Sequence, residues 1–183
     1  MRKVIILILI IILGAGDLTT LRPHSITYQD ILSHPLNPET WITPDNPYVI
    51  EFANNLEILD NGTILYKNKI LKNNYIYDEI QFGTSDFWQM PEYYLRNGMR
   101  GDCEDYAVTI TSALIYKGIP AKVVVGFIGR ATDAWTEYQV GNKTYITTTG
   151  HLDTYFWEKS KFEKYGLEPL YEIKNNSFIV YPY

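Results

Sequence analysis

Cysteine is nearly absent from this chain: among 183 residues there is one, Cys103, alongside only three histidines. A single thiol excludes an internal disulfide framework and any multi-cysteine zinc site. Positive charge is scarce too, with 16 Lys and Arg against 21 Asp and Glu, for a net charge of -5. No basic excess is available to neutralise a phosphate backbone, which argues against nucleic acid as a partner. No apolar run reaches the ~20 residues that span a bilayer as a helix. What is present, 46% hydrophobic and 20% charged residues, is the composition of a folded domain. Aromatics reach 15%, enough for a thick core or for a carbohydrate- or peptide-facing surface.

The N-terminus carries its own signal. Arg2 and Lys3 precede an unbroken apolar run from Val4 to Leu13, followed by Gly14, Ala15, Gly16 and Asp17. A basic start, a short apolar core and small residues before a charge form the three-part pattern of a secretion signal. An Ala-x-Ala pair is missing, so residues 1–16 read either as a cleaved signal peptide or as a short anchor tethered through residues 4–13. Both predict an extracytoplasmic protein, secreted or held at the outer face of the cell membrane. Loss of residues 1–16 removes Arg2 and Lys3, leaving 14 basic and 21 acidic residues and a net charge of -7. Asn61, Asn142 and Asn175 open Asn-x-Ser/Thr triplets, acceptors for N-glycosylation in a host with that machinery.

Residues 17–43, rich in Pro, Thr and His, read as irregular chain, and residues 44–183 as one domain. Asp45 before Pro47 predicts a helix running to Asn54. A second helix is expected over Ile64 to Tyr75, and a short one over Pro91 to Leu95 closed by Asn97-Gly98. The clearest helix follows Asp102, which together with Asp105 reads as capping, and ends at Gly118 and Pro120. Cys103, Ala107, Ile110 and Leu114 lie on one face of it, with Cys103 in its first turn. Beyond Pro120 the period becomes that of strands: Ala121 to Ile128, Trp135 to Val140, Thr144 to Thr148 and a last one near Phe178 to Tyr181, with a turn at Gly141-Asn142. Helices followed by antiparallel strands imply an α+β domain.

A thiol at a helix N-terminus feels the positive end of the helix dipole, which favours thiolate, while Asp102, Glu104 and Asp105 around Cys103 push its pKa up. Position alone leaves nucleophile and buried packing residue both open. The stretches Phe87-Trp88-Gln89-Met90-Pro91-Glu92, Gly101-Asp102-Cys103-Glu104-Asp105-Tyr106-Ala107 and Gly118-Ile119-Pro120-Ala121, in this order, resemble the core of the transglutaminase-like superfamily. The resemblance spans about Pro44 to Thr149. It implies a papain-like arrangement in which a helix-terminal cysteine attacks an amide carbonyl, a histidine on the next strand takes its proton and an aspartate beyond it orients the histidine. It also implies that Trp88 and Trp135 border the substrate cleft and that Gln89 donates to an oxyanion.

The chain departs from that pattern at both partner positions. Asp133 precedes Ala134-Trp135 where the histidine belongs, and Thr148 stands at the aspartate position. Reference pKa values of about 3.9 for Asp and 8.5 for Cys make proton transfer uphill by ~4.6 units, ~6 kcal/mol, against ~2 units for histidine. A carboxylate also repels the thiolate that an imidazolium would stabilise. His151 is the one downstream histidine and the one candidate substitute. Cys103, Asp133 and His151 have no metal-site spacing, so neither a metal nor a cofactor is expected. Two readings follow: a catalytically silent domain that binds peptide, protein or cell-envelope ligands, or an active peptidase, amidase or cross-linker that uses Cys103 with Asp133 or His151.

Overall fold

A computed structural model describes residues 41–84, 86–150, 153–174 and 177–181. The first helix, α1 (Pro47–Asn54), begins with proline, whose missing N–H costs nothing there. Its cap is Asn46, not the expected Asp45: the Asn46 side chain accepts from Tyr48 N at 2.9 Å. The helix expected over Ile64 to Tyr75 is absent. That stretch forms instead β2 (Ile64–Tyr66), which pairs antiparallel with β1 (Leu56–Ile58) and β3 (Lys69–Ile70). The reversal falls at Lys67 and Asn68, with φ of 49° and 63°, the left-handed pair of a two-residue hairpin turn. Tertiary pairing and this turn override the apolar spacing that suggested a helix.

Strand β4 (Asn74–Tyr75) lies parallel to β5 (Arg100–Gly101), and between them come α2 (Asp78–Gln81) and α3 (Pro91–Arg96). Helix α4 (Cys103–Tyr116) is the axis of the fold, and every residue from Glu104 to Leu114 is buried. It was expected to bury one apolar face. It buries all of them because α1 and α3 pack on one side and a sheet on the other.

That sheet has six strands in the order β11-β10-β6-β7-β8-β9, every neighbouring pair antiparallel. Its members are β6 (Ala121–Ile128), β7 (Ala131–Val140), β8 (Lys143–Thr149), β9 (Thr154–Glu158), β10 (Leu167–Lys174) and β11 (Ser177–Val180). The expected strands are all present. Strands β9 and β10 are additional, with the short helix α5 (Lys159–Phe162) and one 3-10 turn between them.

Two clusters join α4 to the sheet. Tyr106, Ile110 and Leu114 pack with Tyr138 and Tyr145, while Ala107 and Val108 pack with Val123, Val125 and Ala134. On the opposite face Val124, Trp135, Ile146 and Phe162 form a third cluster. The helical first half and antiparallel second half are thus an α+β domain with Cys103 at the helix N-terminus. No described helix is long and apolar enough to cross a membrane.

Candidate functional site

Cys103 is the first residue of α4, and the turn before it is held from below. Asp102 occupies the N-cap position without making a side-chain cap bond. Asp105 is not a cap either: fully buried, it accepts from Gln89 N at 2.6 Å and from Gln89 Nε2. The second Nε2 hydrogen goes to Arg100 O at 3.0 Å. Both amide hydrogens expected to face an oxyanion therefore serve as a latch between the 89 region and the nucleophile turn. Gly101 is required in that latch, since a Cβ there would collide with Asp105 Oδ2 and Gln89 Nε2.

Cys103, Asp133 and Thr148 meet although they come from α4, β7 and β8. Thr148 Oγ1 lies 3.0 and 3.1 Å from the two Asp133 carboxylate oxygens and 3.2 Å from Ala134 O, and the Asp133 charge bears on the Cys103 thiol. Cys103 Sγ is also 3.5 Å from Glu104 Oε2. Burial pushes the thiol well above its ordinary pKa, and the charges of Asp133, Glu104 and Asp102 push it further, against one favourable backbone hydrogen bond from Ala134. Burial also raises Asp133 to about 7, although the Thr148 hydrogen bonds pull the other way. Such a site holds a neutral thiol beside a carboxyl group. Among the described residues no cation is placed to stabilise a thiolate there.

Beneath the thiol lies a group that the sequence reading did not assemble. One oxygen from each of Asp78, Asp102, Glu104 and Asp105 lies within 4.8 Å of the others. Asp78 Oδ1, Asp102 Oδ1 and Glu104 Oε1 are buried without a hydrogen-bond partner. Burial, reinforced by mutual repulsion, raises Asp78 to about 7, Asp105 to about 8 and Glu104 well above its ordinary value. Among the described residues these oxygens are the set that could share a hard divalent cation, and bound protons relieve the same repulsion. The Asp102, Glu104 and Asp105 part was adjacent in sequence. Asp78, from α2, has no spacing signal that would have linked it to them.

Trp88 and Trp135 part company. Trp88, almost buried, shares the cluster that Cys103 joins and meets Trp41 edge-on at 5.4 Å, so it borders the site. Trp135 does not line a cleft. It is fully buried on the far face of the sheet, with Val124, Ile146 and Phe162, and donates to Glu137 Oε1 at 3.3 Å. Tyr75 and Tyr77, which the sequence does not single out, stand edge-on to each other at 5.3 Å. Their phenols are raised first by burial and then by the nearby Cys103 and Asp102 charges. Asn61 is exposed in the turn between β1 and β2, and Asn142 is exposed in the turn between β7 and β8. His151 and Asn175 lie outside the described residues.

Comparison with solved structures finds Legionella pneumophila LapG, 19% identical with a TM-score of 0.46, covering 59% of this chain and 61% of that one. LapG described as EGTA-treated is 16% identical with a TM-score of 0.47, covering 74% and 67%. The chain thus spans less than two thirds of the first of these structures. Curated protein sequences yield no match. The family model of the transglutaminase-like superfamily matches residues 63–166, more than half of the chain. That span holds Cys103, Asp133 and Thr148 on α4, β7 and β8, and by it the chain belongs to the transglutaminase-like superfamily.

Proposed function

We propose that the chain is an exported transglutaminase-like domain that is catalytically silent and binds peptide, protein or cell-envelope ligands at the cleft around Cys103. The observation that carries this reading is the acidic setting of the Cys103 thiol, which donates to Glu104 Oε2 at 3.5 Å and has Asp133, the position where the family carries its histidine, among the negative charges that oppose a thiolate. In acyl transfer the partner of the thiol must take its proton and leave a positive charge beside the sulfur. Asp133 can take a proton only by becoming neutral. With the carboxyl at about 7 and the thiol pushed well above its ordinary value, the proton rests on sulfur at neutral pH. The position of Cys103 at a helix N-terminus is retained, but the buried acids around it outweigh the dipole.

Export is supported by the Arg2-Lys3 start and the apolar run Val4 to Leu13. Glycosylation at Asn61 or Asn142 fits this reading, because both are exposed and Asn142 sits in the β7–β8 turn. Asp133 and Val140 are seven residues apart on β7, which at ~3.3 Å per residue puts that turn ~23 Å from the site. A glycan there leaves the cleft open.

The test is Asp133→His in the otherwise unchanged protein. An imidazole at this position is expected to raise the rate of Cys103 alkylation by iodoacetamide at pH 7 at least tenfold. No gain, with the wild-type thiol already as reactive as that of a working cysteine enzyme, overturns the silent reading.

A further inference from the structure

We propose that a hollow on the face of the sheet turned away from Cys103, walled by Lys122, Lys159 and Lys174, binds a small organic monoanion: a carboxylate with an amide or hydroxyl group beside it. This site is separate from the cleft around Cys103, and its ligand does not depend on the reading given above.

The hollow holds about 260 Å3 and is built on β6, β7, β8 and β10, with α5 along one side. Lys122 lies two residues before Val124 and Glu137 two residues after Trp135, so strand alternation puts both on the face that α4 does not cover. Five charged side chains meet there. Glu137, buried, lies 3.5 Å from Lys122 Nζ and 2.8 Å from Lys159 Nζ, and accepts the Trp135 indole N–H at 3.3 Å. Glu172, also buried, pairs with Lys122 and accepts from the Tyr181 hydroxyl at 2.5 Å. Buried ion pairs contribute little to stability compared with apolar side chains of the same volume. A charged network of this size around a hollow therefore fits a polar ligand better than a role in folding.

Charge and size define that ligand. Three lysines stand against two glutamates, so the hollow carries a net charge of +1 in a chain whose total is -5. Both carboxylates are engaged by Lys122, Lys159, Trp135 and Tyr181. Lys174 is exposed and has no ion pair of its own among the described residues, and its charge bears on Glu172. One further negative charge balances the site, whereas a phosphate dianion overshoots it. Another part of the wall is neutral and polar: Gln139 Nε2 donates to Thr144 Oγ1 at 2.8 Å. That bond leaves the second Nε2 hydrogen and the carbonyl oxygen of Gln139 to meet an amide or hydroxyl of the ligand. At ~30 Å3 per water the hollow holds about nine waters, which limits the ligand to roughly ten non-hydrogen atoms.

The experiment titrates N-acetylglycinate, N-acetylglycinamide and inorganic phosphate, at constant ionic strength, into the isotope-labelled protein and follows them by NMR. N-acetylglycinate is expected to shift the backbone amides of Lys122, Gln139 and Thr144 and to bind at least fivefold more tightly than either other probe. Lys174→Gln should remove that preference at an unchanged Tm. Lys161→Gln, which removes an exposed ammonium that does not line the hollow, should keep it. Equal binding of the three probes, tighter binding of phosphate, or an equal loss in both variants overturns the proposal. A free acid and the C-terminus of a peptide share this chemistry, and Ac-Ala-Ala-Ala-Gly with a free carboxylate separates them. Binding as tight as that of N-acetylglycinate assigns the site to a peptide end, and binding at least tenfold weaker assigns it to a free acid; either result upholds the site. The alkylation rate of Cys103, unchanged by N-acetylglycinate, keeps the outcome distinct from that of the silent reading.

Discussion

The Thr148 hydroxyl lies 3.0 and 3.1 Å from the two carboxylate oxygens of Asp133, whose charge also bears on the Cys103 thiol. Among the described residues the hydrogen bonds to this carboxylate come from a neutral hydroxyl and not from a cation. Cys103, Asp133 and Thr148 come together from α4, β7 and β8, and the charges that bear on the thiol there are negative.

Removing that acid should free the thiol. Asp133→Asn eliminates the foremost of the charges opposing thiolate, and each pKa unit so recovered is a factor of ~10 in thiolate population. The alkylation rate of Cys103 at pH 8 is therefore expected to rise several-fold over wild type, less than for Asp133→His because no positive partner is supplied. Stopped assays with mass spectrometry read both.

Stability should fall as pH rises from acid to neutral. Asp78, Asp105 and Asp133 have folded pKa values of about 7, about 8 and about 7. These lie above the ~3.9 of an unfolded aspartate, so the folded state binds more protons in between. Their stabilising contribution is complete below about pH 4 and is lost as pH climbs through about 8. Glu158, held near 2 chiefly by Lys143, acts oppositely but only below its unfolded value, outside this window. Urea midpoints measured at pH 5 and pH 8 should be higher at pH 5.

Two glycines should resist even alanine. A Cβ on Gly126 would strike Glu168 O and Pro169 where β10 crosses β6, and one on Gly101 would strike the Asp105–Gln89 latch. Each substitution is expected to cost about 2–4 kcal/mol, in the range of overpacking plus lost buried hydrogen bonds. Gly101→Ala should in addition alter Cys103 alkylation, which Gly126→Ala should leave unchanged. Chemical denaturation and alkylation of the two variants check this.

The buried Tyr106 hydroxyl meets Thr147 Oγ1 at 2.7 Å and joins α4 to β8. Tyr106→Phe should destabilise by about 1–2 kcal/mol by stranding the threonine hydroxyl, and Thr147→Val added to it should cost little more. A double-mutant cycle gives the coupling directly.

The stretches that bring Cys103, Asp133 and Thr148 together were legible in the sequence because each is contiguous: Gly101 to Ala107 around the cysteine, Ala134-Trp135 after Asp133, and the threonine run that includes Thr148. Helix α4 was legible for the same reason, with glycine and proline closing it. What could not be read came from contacts distant in sequence. Asp78 joins Asp102 and Glu104 only because β4 lies beside β5. Gln89 is spent on Asp105, a partner that local pattern cannot reveal. Trp135 faces the far side of the sheet because α5 supplies Phe162 to cover it, and α5 was not foreseen. The 64–75 stretch became a hairpin through Lys67 and Asn68, neither of them the glycine that usually announces such a turn.

Cys103 stands at a helix N-terminus, where burial and the acids around it hold its thiol protonated. The most direct measurement is the rate of iodoacetamide alkylation of Cys103 in the purified wild-type protein at pH 7, set against free cysteine under the same conditions. A slower rate than the free amino acid, rising only at alkaline pH, is the predicted result. A faster rate at pH 7 would show an activated thiolate and contradict the account.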